Sequence, residues 1–125
     1  MLILLERTKK GWVKNTIYNP KKGIMLNLGC GKEILPNYIN GDIIKSPGVE
    51  LLLDLDSPLP FKSNSVIEVR LSGVIGHLKH PLKLRKELDR VLKDGGMAII
   101  GACECDTHRY NVGGVYFKSS TRARE

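Results

Sequence analysis

Residues 26 to 42 read LNLGCGKEILPNYINGD, with Gly29 and Gly31 directly after an apolar run and the carboxylate Asp42 eleven residues beyond the second glycine. Glycine at a strand end lets the backbone take conformations closed to other residues, and lets a ligand approach the main chain. An acid at the end of the next strand, beside that turn, is placed to accept two hydrogen bonds from a ribose diol. Asp54, at the end of a third strand, is placed to present its side chain or the following NH groups to an adenine. The pattern calls for a nucleoside rather than a dinucleotide. A dinucleotide fingerprint has a third glycine five residues after the first and an acid about twenty residues further on. Here Ile34 stands at the third glycine's place, and the stretch from Glu33 to Asn37, broken by Pro36, has room for one helical turn at most.

Positioning these residues requires strands that stop where the chemistry begins. Ile24-Met25-Leu26-Asn27-Leu28 is an apolar run stopped by glycine, as expected of a strand buried on both faces. Residues 38–42, 49–54, 66–71 and 97–100 read as four more strands. A helix is expected over 81–93: Pro81 suits its first turn, Leu84, Leu88, Val91 and Leu92 form one stripe, and Asp94-Gly95-Gly96 supplies the stop. Lys83 with Glu87 and Arg85 with Asp89 fall at i, i+4 on its outer face. A helix leading through a glycine pair into a short apolar strand is half of a βαβ unit, so the fold expected is α/β with a doubly wound, mostly parallel sheet. In such sheets ligands bind beyond the C-terminal ends of the strands, where the chain reverses direction.

The 125 residues bound one domain, 1–125, in which 1–22 read as a basic lead-in anchored by Trp12 and Tyr18. The apolar start, Met1 to Leu5, ends at Glu6 and is too short for a signal or a membrane span, so a cytoplasmic protein is expected. Cys30, Cys103 and Cys105 have no disulfide-framework spacing, and Cys103-Glu104-Cys105 offers too few ligands for a metal site. The net charge is +7, with Arg7, Lys9, Lys10, Lys14, Lys21 and Lys22 before the glycine-stopped strand and Arg109, Lys118, Arg122 and Arg124 at the end. Such ends suit nucleic acid or simply a solvated face.

Taken in order, Leu26 to Gly31, Leu35 to Ile43, Asp54-Leu55 before Pro58 to Phe61, His77-Leu78 and Leu92 to Gly96 resemble the class I S-adenosylmethionine-dependent methyltransferases, in a compact branch with a short first crossover. The resemblance runs from about residue 24 to 102. It implies a Rossmann-like sheet, here shortened at the C-terminal end, with S-adenosylmethionine as cofactor and S-adenosylhomocysteine as product. Gly29, Cys30 and Gly31 would pass under the methionine part, Asp42 would hold the ribose hydroxyls, Asp54 and Leu55 would face the adenine, and Ser72 and Gly73 would border the methyl group. The family has an acid where this chain has Asn27, which can accept a hydrogen bond from the cofactor's amino group but carries no charge. It has a glutamate where this chain has Gly76. It also continues past the fifth strand with a helix and an antiparallel strand pair, whereas only 25 residues follow Ile100 here, enough for one strand over 115–118.

Methyl transfer is an in-line displacement in which a protein aligns the acceptor and excludes water. His77, in the loop after Ser72-Gly73, is the candidate base for a hydroxyl acceptor. His80 precedes Pro81 and reads as the start of the helix, His108 lies with Glu104 and Asp106 in the tail, and Cys30 reads as a small filler. A small-molecule or sugar acceptor is favoured. The rivals are a non-catalytic module that holds cofactor or partner, and a basic RNA-binding or RNA-methylating protein. An exposed sheet edge also points to a homodimer.

Overall fold

The computed structural model describes residues 2–15, 22–74, 78–101, 109–112, 115–118 and 122–124. A hairpin, β1 (Leu2–Thr8) and β2 (Gly11–Asn15), is followed by β3 (Ile24–Leu28), β4 (Ile39–Asp42), β5 (Leu51–Leu52), β6 (Val66–Ser72), α1 (Pro81–Val91) and β7 (Leu92–Gly101). These strands form one sheet in the order β2-β1-β7-β6-β3-β4-β5. The pairs from β7 to β5 are parallel, while β1 runs antiparallel to β7 and β2 antiparallel to β1. From β3 the chain moves outward to β4 and β5, then returns to β6 on the other side of β3. That reversal sets the switch point at the ends of β3 and β6.

The expected strands are all present, with shorter bounds at 39–42 and 51–52. Helices on both faces are not seen among the described residues, because the three crossovers between β3 and β6 run without one. Hydrogen bonds from two buried asparagines close the first of these loops instead. Asn40 accepts from Asn27 Nδ2 (2.9 Å) and Leu35 N (2.9 Å), and donates to the carbonyls of Leu35 (3.0 Å) and Tyr38 (3.2 Å) and to Glu50 Oε1 (3.1 Å). The loop's backbone polar groups are thus satisfied by side chains where a helix would have satisfied them internally.

One apolar face carries the core. Register aligns Leu26 with Val69 and Ala98, and Leu28 with Leu71 and Ile100, while Leu5 lies opposite Ala98. Against this row α1 packs Leu84, Leu88 and Val91, all at most 2% exposed. The helix ends at Val91, before the glycines expected to stop it: Leu92 is already extended, its N–H bonded to the Leu88 carbonyl. The glycines serve a bulge instead. The β6–β7 ladder jumps from Val66–Leu92 to Glu68–Met97, and Gly95 within the bulge has φ +82°. Glu87 and Asp89 also find partners other than the helix lysine and arginine expected for them. Glu87 bonds Arg90 (2.8 Å) and Leu59 N (2.7 Å), and Arg90 above all, with the Leu59 N–H, holds its carboxyl below the usual range.

Residues 2–15 of the basic lead-in form the β1–β2 hairpin. The hairpin takes the sheet edge beside β7, with β1 antiparallel to β7 and β2 outermost. Trp12 anchors it as expected, donating from Nε1 to Asp89 Oδ1, and Arg7 Nε caps the end of α1 through the Asp89 carbonyl (2.6 Å). Tyr18 lies outside the described residues. On the opposite face, buried Glu68 accepts from the Tyr38 hydroxyl, which also accepts from Arg70 Nε (3.0 Å), tying the first crossover to β6.

The C-terminal segment holds three short strands where one was expected. β8 (Arg109–Val112), β9 (Val115–Lys118) and β10 (Arg122–Arg124) form a separate antiparallel sheet in the order β10-β9-β8, and β8 touches α1. Among the described residues, no helix is long and apolar enough to cross a membrane.

Candidate functional site

The site begins where β3 stops. Gly29 and Gly31 have φ of +68° and +53°, the left-handed region that favours glycine. All three N–H groups of the turn point back to the end of β4: Gly29 N (2.8 Å) and Cys30 N (3.1 Å) donate to the Gly41 carbonyl, and Gly31 N donates to Asp42 Oδ2 (2.7 Å). The turn and the acid are therefore one unit. Asp42 Oδ1 accepts from Ile43 N (2.6 Å) and Ile44 N (3.2 Å). A carboxylate has about four acceptor positions. One is open, and the long bond from Ile44 is the easiest to give up for a second hydroxyl.

Beside this unit lies a cavity of about 180 Å³ lined by Gly29, Asp42, Ile43, Leu53, Asp54, Leu55, Asp56, Val74 and Leu78. Its walls are branched aliphatics and its rim is three carboxylates, so a flat apolar group with polar edges fits it. Asp54 Oδ1 accepts from Asp56 N (2.9 Å), which fixes the turn after β5. Asp56 accepts from His80 N (2.8 Å) and Lys79 N (3.2 Å), linking the rim to the start of α1. The His80 N–H is the larger cause of an Asp56 pKa below the usual carboxylate range, so this acid stays ionised at neutral pH.

A second cavity of about 130 Å³ lies at the ends of β3, β6 and β7, lined by Asn27, Glu33, Leu35, Arg70, Leu71, Ser72, Ile99 and Gly101. Sequence reasoning pointed to residues that divide between these two spaces: Gly29, Asp42, Asp54 and Leu55 line the first, Asn27 and Ser72 the second. Gly31 holds Asp42 without lining either. Gly73 (φ +64°) bonds back to the Gly101 carbonyl (2.7 Å). Cys30 is 5% exposed, and burial, with Asp42 adding to it, pushes its thiol pKa up, so it is a neutral filler. His80 starts α1 with its carbonyl accepting from Lys83 N (3.0 Å). His77 and His108 lie outside the described residues. Leu53, Asp56 and Val74 were not singled out from sequence, since aliphatics after short strands and one more acid in a loop carry no spacing signal.

Asn27 has a structural task. Its Nδ2 donates to the Glu33 carbonyl (2.7 Å) and to Asn40 Oδ1 (2.9 Å), and it is 3% exposed. Asn27→Asp would aim a carboxylate at two acceptors, and we expect it to lower unfolding free energy by about 3 kcal/mol at neutral pH. The loss should shrink as acid protonates the new side chain. Chemical denaturation at two pH values reads this directly, and an equal, small loss at both would contradict the assignment.

A parallel sheet with a switch point, a glycine turn and a carboxylate laid across it define an α/β protein of Rossmann-like type. Residues 42–100, just under half of the chain, match the family model described as a methyltransferase domain. The match starts at Asp42, after the glycine turn, and ends with β7. No curated protein matches the chain.

Proposed function

We propose that the chain binds S-adenosylmethionine at the ends of β3, β4 and β5 and methylates a small-molecule or sugar acceptor. The observation that carries this is the Asp42 carboxylate, held across the Gly29–Gly31 turn with an acceptor position open beside an aliphatic slot. In this reading Asp42 holds the ribose hydroxyls, and Leu53, Leu55, Ile43 and Leu78 enclose the adenine, with Asp54 at its edge. The first cavity is below the roughly 300 Å³ at which small-molecule pockets begin, so it would take the nucleoside end only. The methionine end would extend along the glycine turn toward Asn27 and Ser72. When bound, S-adenosylmethionine supplies a methyl group on a sulfonium. The chain's share is alignment and exclusion of water at the ends of β6 and β7, and we assign the base for a hydroxyl acceptor to His77 on its motif position.

Calorimetric titration with S-adenosylhomocysteine tests the cofactor site. Micromolar binding is expected, weakened about 100-fold by Asp42→Ala, as fits the loss of two hydrogen bonds to a charged group. Equal affinity in both proteins would remove Asp42 from the site. A second reading, a module that holds cofactor without turnover, is favoured by Asn27, whose amide hydrogens are already engaged where the family has an acid. It predicts the same titration and no methylation of any acceptor.

A further inference from the structure

A third cavity, of about 290 Å³, is larger than either space at the strand ends and takes no part in the methyltransferase reading. It lies between the loop after β5, which supplies Asp56, Ser57 and Pro58, and the outer face of α1, which supplies Lys83, Lys86 and Glu87. Its size approaches the roughly 300 Å³ at which small-molecule pockets begin. Only Asp56 is shared with the slot beside the glycine turn, so the two spaces adjoin at the rim without overlapping.

The charges around this cavity are unequally committed. Glu87 accepts from Arg90 through two nitrogens (2.8 and 3.0 Å) and from Leu59 N (2.7 Å). Asp56 directs one oxygen at His80 N (2.8 Å) and the other at Lys79 N (3.2 Å). Lys83 and Lys86 are exposed and have no ion-pair partner among the described residues, although Glu87 stands at i+4 from Lys83. Both carboxylates already have donors, whereas the two ammonium groups have no acceptor among the described residues. Ser57, whose N–H is bonded to the Asp54 carbonyl (3.0 Å), brings a hydroxyl to the same wall.

An anion with several acceptor oxygens completes such a set. A phosphate monoester carries close to two negative charges at neutral pH and three acceptor oxygens, which match two ammonium groups and a hydroxyl; a carboxylate brings one charge. Lysine binds phosphate as a point charge, so no fixed fork is required. Pro58 and the aliphatic stems of the two lysines offer apolar contact to the body of the molecule that carries the phosphate.

We infer that this cavity binds a small phosphorylated molecule, with Lys83, Lys86 and Ser57 holding its phosphate. The site stands whether or not the strand ends hold S-adenosylmethionine.

The test is an amide chemical-shift titration of the full chain with glycerol 3-phosphate, beside inorganic phosphate and glycerol, at fixed ionic strength because salt screens exposed charges. Saturable shifts centred on Ser57, Lys83 and Lys86 are expected, with a dissociation constant of about 1 mM or below. Inorganic phosphate should shift the same amides at higher concentration, and glycerol should shift none. Lys83→Gln and Lys86→Gln should each weaken binding about fivefold and leave the thermal midpoint unchanged, since neither breaks an ion pair among the described residues. Lys93→Gln, at an exposed lysine outside the cavity, should leave binding intact. Shifts that fail to saturate by about 20 mM, that spread over exposed lysines in general, or that survive unchanged in Lys83→Gln and Lys86→Gln would overturn the assignment.

Discussion

Asn40→Leu is expected to lower the unfolding free energy by about 4 kcal/mol, a large part of the 5 to 15 kcal/mol that holds a typical domain together. The substitution keeps the volume but removes every polar contact of a side chain only 2% exposed. Leu35 N, the Leu35 and Tyr38 carbonyls and Asn27 Nδ2 each lose a partner, although the Leu35 carbonyl keeps the Tyr38 N–H and Asn27 Nδ2 keeps the Glu33 carbonyl, and a buried group left without a partner costs about 1 to 3 kcal/mol. Asn40→Asp separates the two halves of the network, since it keeps the acceptor for Leu35 N but points a carboxylate at two carbonyls and at Glu50. Urea denaturation measures both. A loss under about 1 kcal/mol for Leu would mean that water can replace the amide, and that the crossover is not closed by it. Because this loop carries the glycine turn, cofactor affinity should fall along with stability.

Gly29→Ala should act the other way round, with a modest effect on stability and a large one on binding. An added Cβ would lie 2.2 Å from Val74 Cγ2 and 3.2 Å from Val74 Cβ, and the backbone at φ +68° costs a non-glycine residue about 1 to 2 kcal/mol. Valine is stiff about χ1, so the clash moves either Val74 into the cavity that it lines or the turn away from the Gly41 carbonyl. We expect S-adenosylhomocysteine affinity to fall at least 30-fold, equivalent to about 2 kcal/mol. Gly31→Ala is the control: its Cβ would meet nothing within 4 Å, so only the strain of φ +53° applies. Equal loss of affinity in the two variants would show that backbone strain, not the contact with Val74, governs the site.

Much of this was written into local sequence. The apolar run ended by Gly29, the stripe of Leu84, Leu88 and Val91, and the placing of Asp42 at a strand end are readable because strand and helix periodicity depend only on near neighbours, whereas Asp54 lies two residues beyond the end of β5. So is the left-handed glycine turn, whose need for a missing Cβ is a property of the residue itself. The hairpin was not readable. Leu2 to Leu5 is an unbroken apolar run without alternation, and the partner of β1 is β7, at the far end of the core. The buried polar groups were no more legible: Asn27, Asn40 and Glu68 look like solvated residues until register brings their partners within hydrogen-bond distance. The same holds for the glycine pair at 95 and 96, which local rules assign to a helix end and strand pairing turns into a bulge, and for Asp56, which joins the cavity rim only because α1 starts beside it. Sequence alone determined the strands from β3 to β7, the helix and the glycine turn, since conformational preference acts over a few residues. Tertiary structure decided which polar groups are satisfied, what covers the sheet edge and which walls enclose the site, because hydrogen bonds and apolar contacts between distant segments exist only once the whole chain has packed.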